Sequence, residues 1–308
     1  MTLMLTEGDV ARVLTWADLI PAMERALISF SSGRVVQPVR NILTIEKDKR
    51  FMGVMPVVTD NAMGVKLVCF YPVNAGSSDP THTAMILLFD PANGRPLAAM
   101  DGRLITEMRT AAVSAAVTKH LMPEGARILA LLGSGVQAVS HLEAMQHIGR
   151  FDDVRVWSRN ADHARQFAEK YGARAMDAET AVRGADVIVV ATSSMVPVLH
   201  GRWLKAGAHV NAVGAVNPNW RELDDEAMRH ALVADSREAV LKESGDVILA
   251  QATIAAEVGE LFLGTKVVSR YETTVFKSVG LAVEDIAAAK LVYDAIVTSR
   301  GVDPHRPE

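Results

Sequence analysis

"ILALLGSGVQAVSHLEAM", Ile128 to Met145, is the stretch that decides the architecture. A short apolar run, Ile128–Leu132, enters the turn Gly133-Ser134-Gly135-Val136-Gln137-Ala138, and a helical pattern leaves it. The turn reads G-x-G-x-x-A, a variant of the dinucleotide-binding Rossmann fingerprint. Gly133 allows the tight turn, and Gly135 lets a pyrophosphate approach the N–H groups of the helix N-terminus. Ala138 is small enough for the helix to pack close to the strand. A glycine-rich turn alone would say little. Here further short, apolar strands follow it: "DVRVWSR" (153–159), "ADVIVVATS" (185–193), "AHVNAVG" (208–214) and "LVADS" (232–236), with helical segments between. Strands buried on both faces are expected in a parallel sheet covered by helices.

The texture on the N-terminal side differs. A helical pattern spans Trp16 to Phe30, and strand-length runs follow: "VVQPVRNILTIE" (35–46), "FMGVMPVV" (51–58), "GVKLVCFYP" (64–72) and "AMILLFD" (84–90). Asn93-Gly94 predicts a tight hairpin turn with positive φ at both residues. A helix is expected from Arg103 to Leu121, broken by Pro123 and Gly125. After a last strand, "TTVFKS" (273–278), an Ala-rich amphipathic helix from Leu281 to Ser299 could return to pack on the first domain. The expected fold is therefore α/β: a Rossmann-type parallel-sheet domain over 111–283, inserted into an α+β substrate-binding and dimerisation domain built from 1–110 plus 284–308.

Composition narrows the class of function. The 308 residues are 49% hydrophobic and 22% charged, enough for a large core. A formal charge of −4 gives nucleic acid no basic surface to bind. No apolar run reaches the roughly 20 residues needed to span a bilayer, and the acidic N-terminus does not resemble a signal peptide. The single cysteine, Cys69, reads as a core thiol and permits no intramolecular disulfide. A cytoplasmic enzyme is expected. The nine histidines show no metal-binding spacing, so no metal site is expected.

The strand "DVRVWSRN" should end at the adenosine ribose, where an NAD-selective site places Asp or Glu. Ser158, Arg159 and Asn160 stand there instead. A guanidinium pairs with a 2′-phosphate that a carboxylate would repel, so NADPH is expected over NADH, with Arg159 as discriminator. On the substrate side, three cations sit among apolar neighbours: Arg40, Lys66 and Arg109. Each alone reads as a surface charge or structural ion pair; together they suggest a pocket for an anion. Small residues surround Arg109 (Thr110, Ala111, Ala112, Ser114) and allow close approach of another element.

Long motifs in order then carry a resemblance across almost the whole chain. "QPVR", "GVMP", "KLVCFY", "LLFDPANG", "MDG", "RTAAVSA", "GSGVQA", "NAVGAVNPNWRELDDE", "LKESGD" and "TTVFKSVGLAVEDIAAAK" together resemble the ornithine cyclodeaminase/mu-crystallin family. "WRELDDE" and "KESGD" place it nearest the mu-crystallin branch, which implies an NADPH-dependent ketimine reductase. The resemblance also implies a homodimer, with Arg40, Lys66 and Arg109 around the carboxylate of an amino-acid-like substrate. It implies that Thr110, the Gly133–Ala138 turn, Val213 and Ser278-Val279-Gly280 line the cofactor.

Cyclodeaminases of that family resemble one another in a carboxylate just after the "NAVG" strand. Val216 occupies the matching position, and it can neither accept a proton nor pair with an ammonium. What survives is reduction of a preformed C=N bond, in piperideine-2-carboxylate or pyrroline-2-carboxylate, to an L-cyclic amino acid. Arg40 and Arg109 would fix the carboxylate, Lys66 would donate the proton or serve as a third clamp, and Val216 would pack on the ring. Two alternatives stand beside this: an ornithine-cyclodeaminase or alanine-dehydrogenase type of oxidoreductase, and a non-enzymatic, nucleotide-gated binder of small ligands of the thyroid-hormone kind. The charges of "KESGD" read as solvated or capping residues of a helix ending at Gly245, and Trp220 as a brace for the loop.

Overall fold

The structure is a computed structural model describing residues 2–74 and 76–299. The chain divides into two compact units, Met1–Arg109 with Leu281–Glu308, and Thr110–Gly280. Residues 300–308, which the sequence assigns to the first domain, lie outside the described residues. No helix among the described residues is long and apolar enough to cross a membrane.

The first unit is a six-stranded mixed sheet backed by helices. Its strands are β1 (Leu3–Leu5), β2 (Asn41–Glu46), β3 (Arg50–Val58), β4 (Met63–Phe70), β5 (His82–Phe89) and β6 (Pro96–Asp101). They lie in the order β1-β6-β5-β4-β3-β2, antiparallel except for the β1–β6 pair. Thr6 opens helix α1 (Glu7–Val13) with a capping box to Asp9, and Thr15 caps α2 (Trp16–Ser31). The final helix, Ala282–Ser299, packs on α2 and across β3, β4 and β5. Alternation along β4 places Gly64 and Lys66 on the face beneath that helix. A Cβ on Gly64 would lie 2.5 Å from the Leu87 carbonyl oxygen and 2.6 Å from Ile286 Cδ1, so glycine sets how closely the helix approaches.

Three local expectations are corrected. "VVQPVRNILTIE" is not one strand: Val36 makes an isolated bridge to Val58, and β2 begins only at Asn41. Pro38 supplies no N–H for a ladder, so Arg40 lies in the link before β2 rather than in a strand. At the β5–β6 connection only Gly94 has positive φ (+74°). The Asp90 carbonyl accepts the Gly94 N–H, and its carboxylate accepts from Ala92 and Asn93, making a longer loop than a two-residue turn. The final helix is less amphipathic than expected, because most of its residues through Val297 are buried.

Helix α3 (Arg103–Leu121) runs into the second unit. There the strands are β7 (Ile128–Leu132), β8 (Asp153–Trp157), β9 (Arg174–Ala175), β10 (Val187–Val190), β11 (His209–Ala212), β12 (Ala231–Ala234), β13 (Ile254–Glu257) and β14 (Thr274–Lys277). All pair in parallel, in the order β13-β12-β14-β11-β10-β7-β8-β9. The direction of winding reverses between β7 and β10, and ligands of open α/β sheets bind at the carboxyl ends of strands at such a switch point. Leu129, Leu131, Val156, Val187 and Val189 point from the sheet onto Ala138, Leu142 and Met145 of α4 (Val136–Ile148) and Phe167 of α5 (Ala161–Tyr171). Burying each such side chain contributes about 1.5–3 kcal/mol, which makes this face a rigid base for the switch-point loops.

Candidate active site

In the first unit, Lys66 and Arg109 come together on two acids of the final helix. Lys66 Nζ lies 2.6 Å from Asp285 Oδ2, and Arg109 donates from Nε to Asp285 Oδ1 (3.0 Å) and from Nη1 to Glu284 Oε2 (2.5 Å). All four side chains are buried. Gln37 Oε1 accepts the Val283 N–H (2.7 Å), which brings the "QPVR" segment to the start of the same helix. Arg40 is half-buried and near enough for its charge to act on Lys66. Burial pushes the Lys66 pKa down to about 8; Asp285 opposes the fall, while Arg109 and Arg40 add to it. Burial also disfavours the Arg109 charge, but Asp285 and Glu284 outweigh it and its pKa is raised. Lys66 and Arg109 are thus matched charge for charge by Asp285 and Glu284. Arg109 Nη2 makes no hydrogen bond among the described residues, so the guanidinium keeps donors for an anion.

In the second unit, the Gly133–Ala138 turn joins β7 to α4 at the switch point. Gly133 has φ +122°, donates its N–H to the Trp157 carbonyl (2.8 Å), and a Cβ there would lie 2.3 Å from the Ala191 carbonyl oxygen. Gly135 is the N-cap of α4 and carries no side-chain cap, and the space its Cβ would occupy is open. Uncapped N–H groups facing open space suit a pyrophosphate, and the Gln137 Oε1, buried without a hydrogen-bond partner, is a further polar atom at the turn. Ser134 and Val136 complete the turn's surface, Val136 being exposed. At the end of β8, Ser158 is half-buried and Arg159 is exposed with no partner among the described residues. Asn160 caps α5 by accepting the Asp162 N–H (2.9 Å). Thr110 is half-buried on α3, and the half-buried Val213 donates its N–H to the Val190 carbonyl (3.0 Å). Asp235 organises the remaining segment: its Oδ2 accepts from Ser278 Oγ (3.0 Å), Val279 N (2.7 Å) and Gly280 N (2.7 Å). Residues of that one carboxylate's shell thus hold the segment in a fixed shape.

The loop after β11 is lashed from below. Glu222 Oε2 accepts the Gly214 N–H (2.7 Å), and Oε1 accepts from Thr192 N (2.6 Å) and Thr192 Oγ1 (2.7 Å). Asp246 Oδ1 accepts the N–H groups of Glu222 (2.7 Å) and Leu223 (3.0 Å), and its Oδ2 lies 3.0 Å from Lys277 Nζ. Gly245 donates to the Asn217 carbonyl (3.1 Å), and a Cβ on it would lie 2.2 Å from the Trp220 carbonyl oxygen. Trp220 and Ala215 are buried, while Val216 is 39% exposed. Val216 is therefore the apolar tip of a tied-down loop.

This overturns the solvated reading of "KESGD". Helices α6 (Ala178–Val182) and α7 (Arg237–Glu243) precede a separate helix, α8 (Gly245–Ala250), that begins where the sequence predicted an end, and within it Asp246 is fully buried and paired with Lys277. Only Lys242, paired with Glu238, stays on the surface. The reason is the parallel register that puts Lys277 at the end of β14, where an ammonium needs a buried partner.

Residues 1–300 match the ornithine cyclodeaminase/mu-crystallin family. The chain belongs to that family. It is 50% identical over 302 residues to the ketimine reductase mu-crystallin of Macropus fuliginosus, covering 94% of this chain and 96% of the relative. Its fold matches that of Thermococcus litoralis Delta(1)-pyrroline-2-carboxylate reductase, solved with NADH and L-proline, at a TM-score of 0.92 and 36% identity over 98% of this chain and 99% of that one. An archaeal alanine dehydrogenase dimer with bound NAD matches at 0.90 and 31% identity, over 98% and 97% of the two chains. The first two names are those of oxidoreductases that act on C=N bonds.

Several polar residues of this family member escaped the sequence reading: Gln37, Glu284 and Asp285 in the first unit, and Glu222, Asp235 and Asp246 in the second. For Glu284, Asp285 and Asp235 one signal was present. An acid set among apolar or small neighbours, as in "GLAVEDIAAAK" and "LVADS", is costly to bury unless a cation or a set of N–H donors receives it.

Proposed function

We propose that this protein reduces the C=N bond of cyclic ketimine carboxylates, with a nicotinamide cofactor, to L-cyclic amino acids such as pipecolate or proline. The observation that carries this is Val216: an exposed apolar tip on a tied-down loop, in a chain half identical to ketimine reductases. Resemblance to the cyclodeaminases implies a carboxylate at that place for the deaminating reaction, and Glu222, which ties the same loop, is fully buried and engaged by three donors.

The cofactor supplies a hydride to the imine carbon when bound. Arg109 and Arg40 take the substrate carboxylate; charge-assisted bonds of this kind contribute about 1.5–3 kcal/mol each. Lys66 holds the proton that the imine nitrogen requires: with its pKa at about 8, it is charged at neutral pH yet releases a proton more readily than an ordinary lysine. Thr110, the Gly133–Ala138 turn, Val213 and Ser278–Gly280 hold the cofactor. NADPH is the preferred form, because Ser158, the unpartnered Arg159 and Asn160 stand where a carboxylate would select NADH. The protein works as a homodimer. Supporting this, β2 is an edge strand with Ile42, Leu43 and Ile45 all exposed, and an edge of that kind invites pairing. Its single, half-buried cysteine fits a cytoplasmic setting.

The test follows cofactor oxidation with piperideine-2-carboxylate and pyrroline-2-carboxylate, then with pyruvate plus ammonia, each with NADPH and with NADH. Turnover of a cyclic imine, faster with NADPH, is expected. Activity confined to pyruvate plus ammonia would make the protein an amino-acid dehydrogenase, and equal use of both cofactors would remove Arg159 from the specificity argument.

A further inference from the structure

The second unit contains a buried charge cluster that the proposed chemistry does not use. Glu222, Asp246 and Lys277 are all fully buried; Lys277 pairs with Asp246, and its charge also acts on Glu222. Such a group is costly to bury. Its place in the fold suggests what it does. The Gly133 turn packs on the Ala191 carbonyl, and Thr192 follows directly. Glu222 takes both donors of Thr192 on one oxygen and the Gly214 N–H on the other. Gly214 opens the loop that ends in Val216, and a Cβ on Gly214 would lie 2.3 Å from the Glu222 carboxylate. A single side chain thus links the loops leaving β10 and β11, one of them in contact with the glycine turn.

We propose that Glu222 is a positioning residue: its ionised carboxylate braces the Thr192 loop against the Gly214–Val216 loop and so sets where Val216 stands relative to the glycine turn. The inference rests on the ketimine-reductase reading for its catalytic consequence, though the brace itself does not. A carboxylate suits the task because all its partners are donors, and an ionised carboxylate only accepts. Oε1 accepts two bonds and Oε2 one, so a proton on Oε1 displaces a Thr192 donor, and a proton on either oxygen removes the charge that strengthens all three bonds. The brace is therefore set by protonation. The charged groups facing Glu222 are Lys277, which favours its ionisation, and Asp246, which opposes it. Burial is the larger effect and pushes the Glu222 pKa up to about 7.

The deciding measurement is hydrogen exchange at the Thr192 and Gly214 amides of the wild-type protein, corrected for intrinsic exchange, from about pH 6 to about pH 8. Protection should rise through about pH 7 as Glu222 ionises. Steady-state kinetics supply the second arm. Glu222→Gln presents an N–H₂ where a donor already points, and it should lower kcat by about ten- to a hundredfold with little change in the KM for cofactor. It should also abolish the inflection near pH 7. Asp246→Asn removes the like charge, so it should move that inflection to lower pH. Amide protection that does not change with pH, or a Glu222→Gln enzyme that keeps the wild-type pH profile and loses only thermal stability, would reduce Glu222 to a packing residue and overturn the proposal. Wild-type protein inactive on every imine would instead defeat the proposed reaction, and the exchange profile would still decide whether the brace exists.

Discussion

Asp285 holds Lys66 and Arg109 at once. The Lys66 pKa falls from 10.5 to about 8 on folding. Between those values the unfolded chain binds the proton and the folded chain does not, so this group's contribution to stability rises with pH across that window. Asp285 is the main influence opposing the fall. Asp285→Asn should therefore drop the Lys66 pKa further, extend the window downward, and leave a buried cation poorly paired, at a cost of about 3–5 kcal/mol at neutral pH. Denaturant unfolding at several pH values reads the first effect. The pH dependence of KM for a carboxylate substrate reads the second, its alkaline rise moving to lower pH. A KM that stays flat across the alkaline range in both proteins would separate Lys66 from substrate binding.

At the scale of elements, the site depends on distances that glycine sets. Gly64 lets the final helix close onto β4, and that approach brings Asp285 to Lys66 on the same face of the strand. The Leu87 carbonyl belongs to the sheet and cannot move aside as a flexible side chain could. Gly64→Ala should cost about 1–3 kcal/mol through overpacking. Because the strain falls where the helix lies on β4, the variant should also raise the KM for the carboxylate substrate, even at temperatures where it stays folded. Thermal unfolding together with KM measures both; a stability loss with unchanged KM would show that helix and strand adjust without disturbing the clamp. The helices were legible at this scale because period and breakers are local. α3 was expected from Arg103 to Leu121 and occupies those residues. The short strand β13 was missed, since "TIAAE" is as compatible with a helix by its residues alone.

For the molecule as a whole, the six-stranded sheet ends in β2, whose Ile42, Leu43 and Ile45 are 45–56% exposed. Exposed apolar side chains along an edge strand invite pairing with a second chain. If the proposed homodimer pairs through this edge, Leu43→Lys combined with Ile45→Lys should shift the protein from dimer to monomer in sedimentation or light scattering, with the far-ultraviolet circular dichroism unchanged. A wild-type protein that sediments as a monomer, or a double variant that stays dimeric, would remove β2 from the interface.

By itself the sequence determined the architecture and the class of chemistry. Strand-turn-helix order, the spacing of Gly133, Gly135 and Ala138, and the absence of an acid at Val216 are properties of neighbours along the chain, and periodicity and steric limits act on neighbours. The three cations could also be singled out, because a charge among apolar residues is conspicuous wherever the chain goes. Only tertiary structure decided which groups receive those charges. Lys66 and Asp285 are far apart in sequence and 2.6 Å apart in space. Glu222 reaches back to Thr192, and Asp246 finds Lys277. A buried ionisable group takes its partner and its pKa from whatever packing brings alongside it, and that is set by the whole fold rather than by the residues on either side.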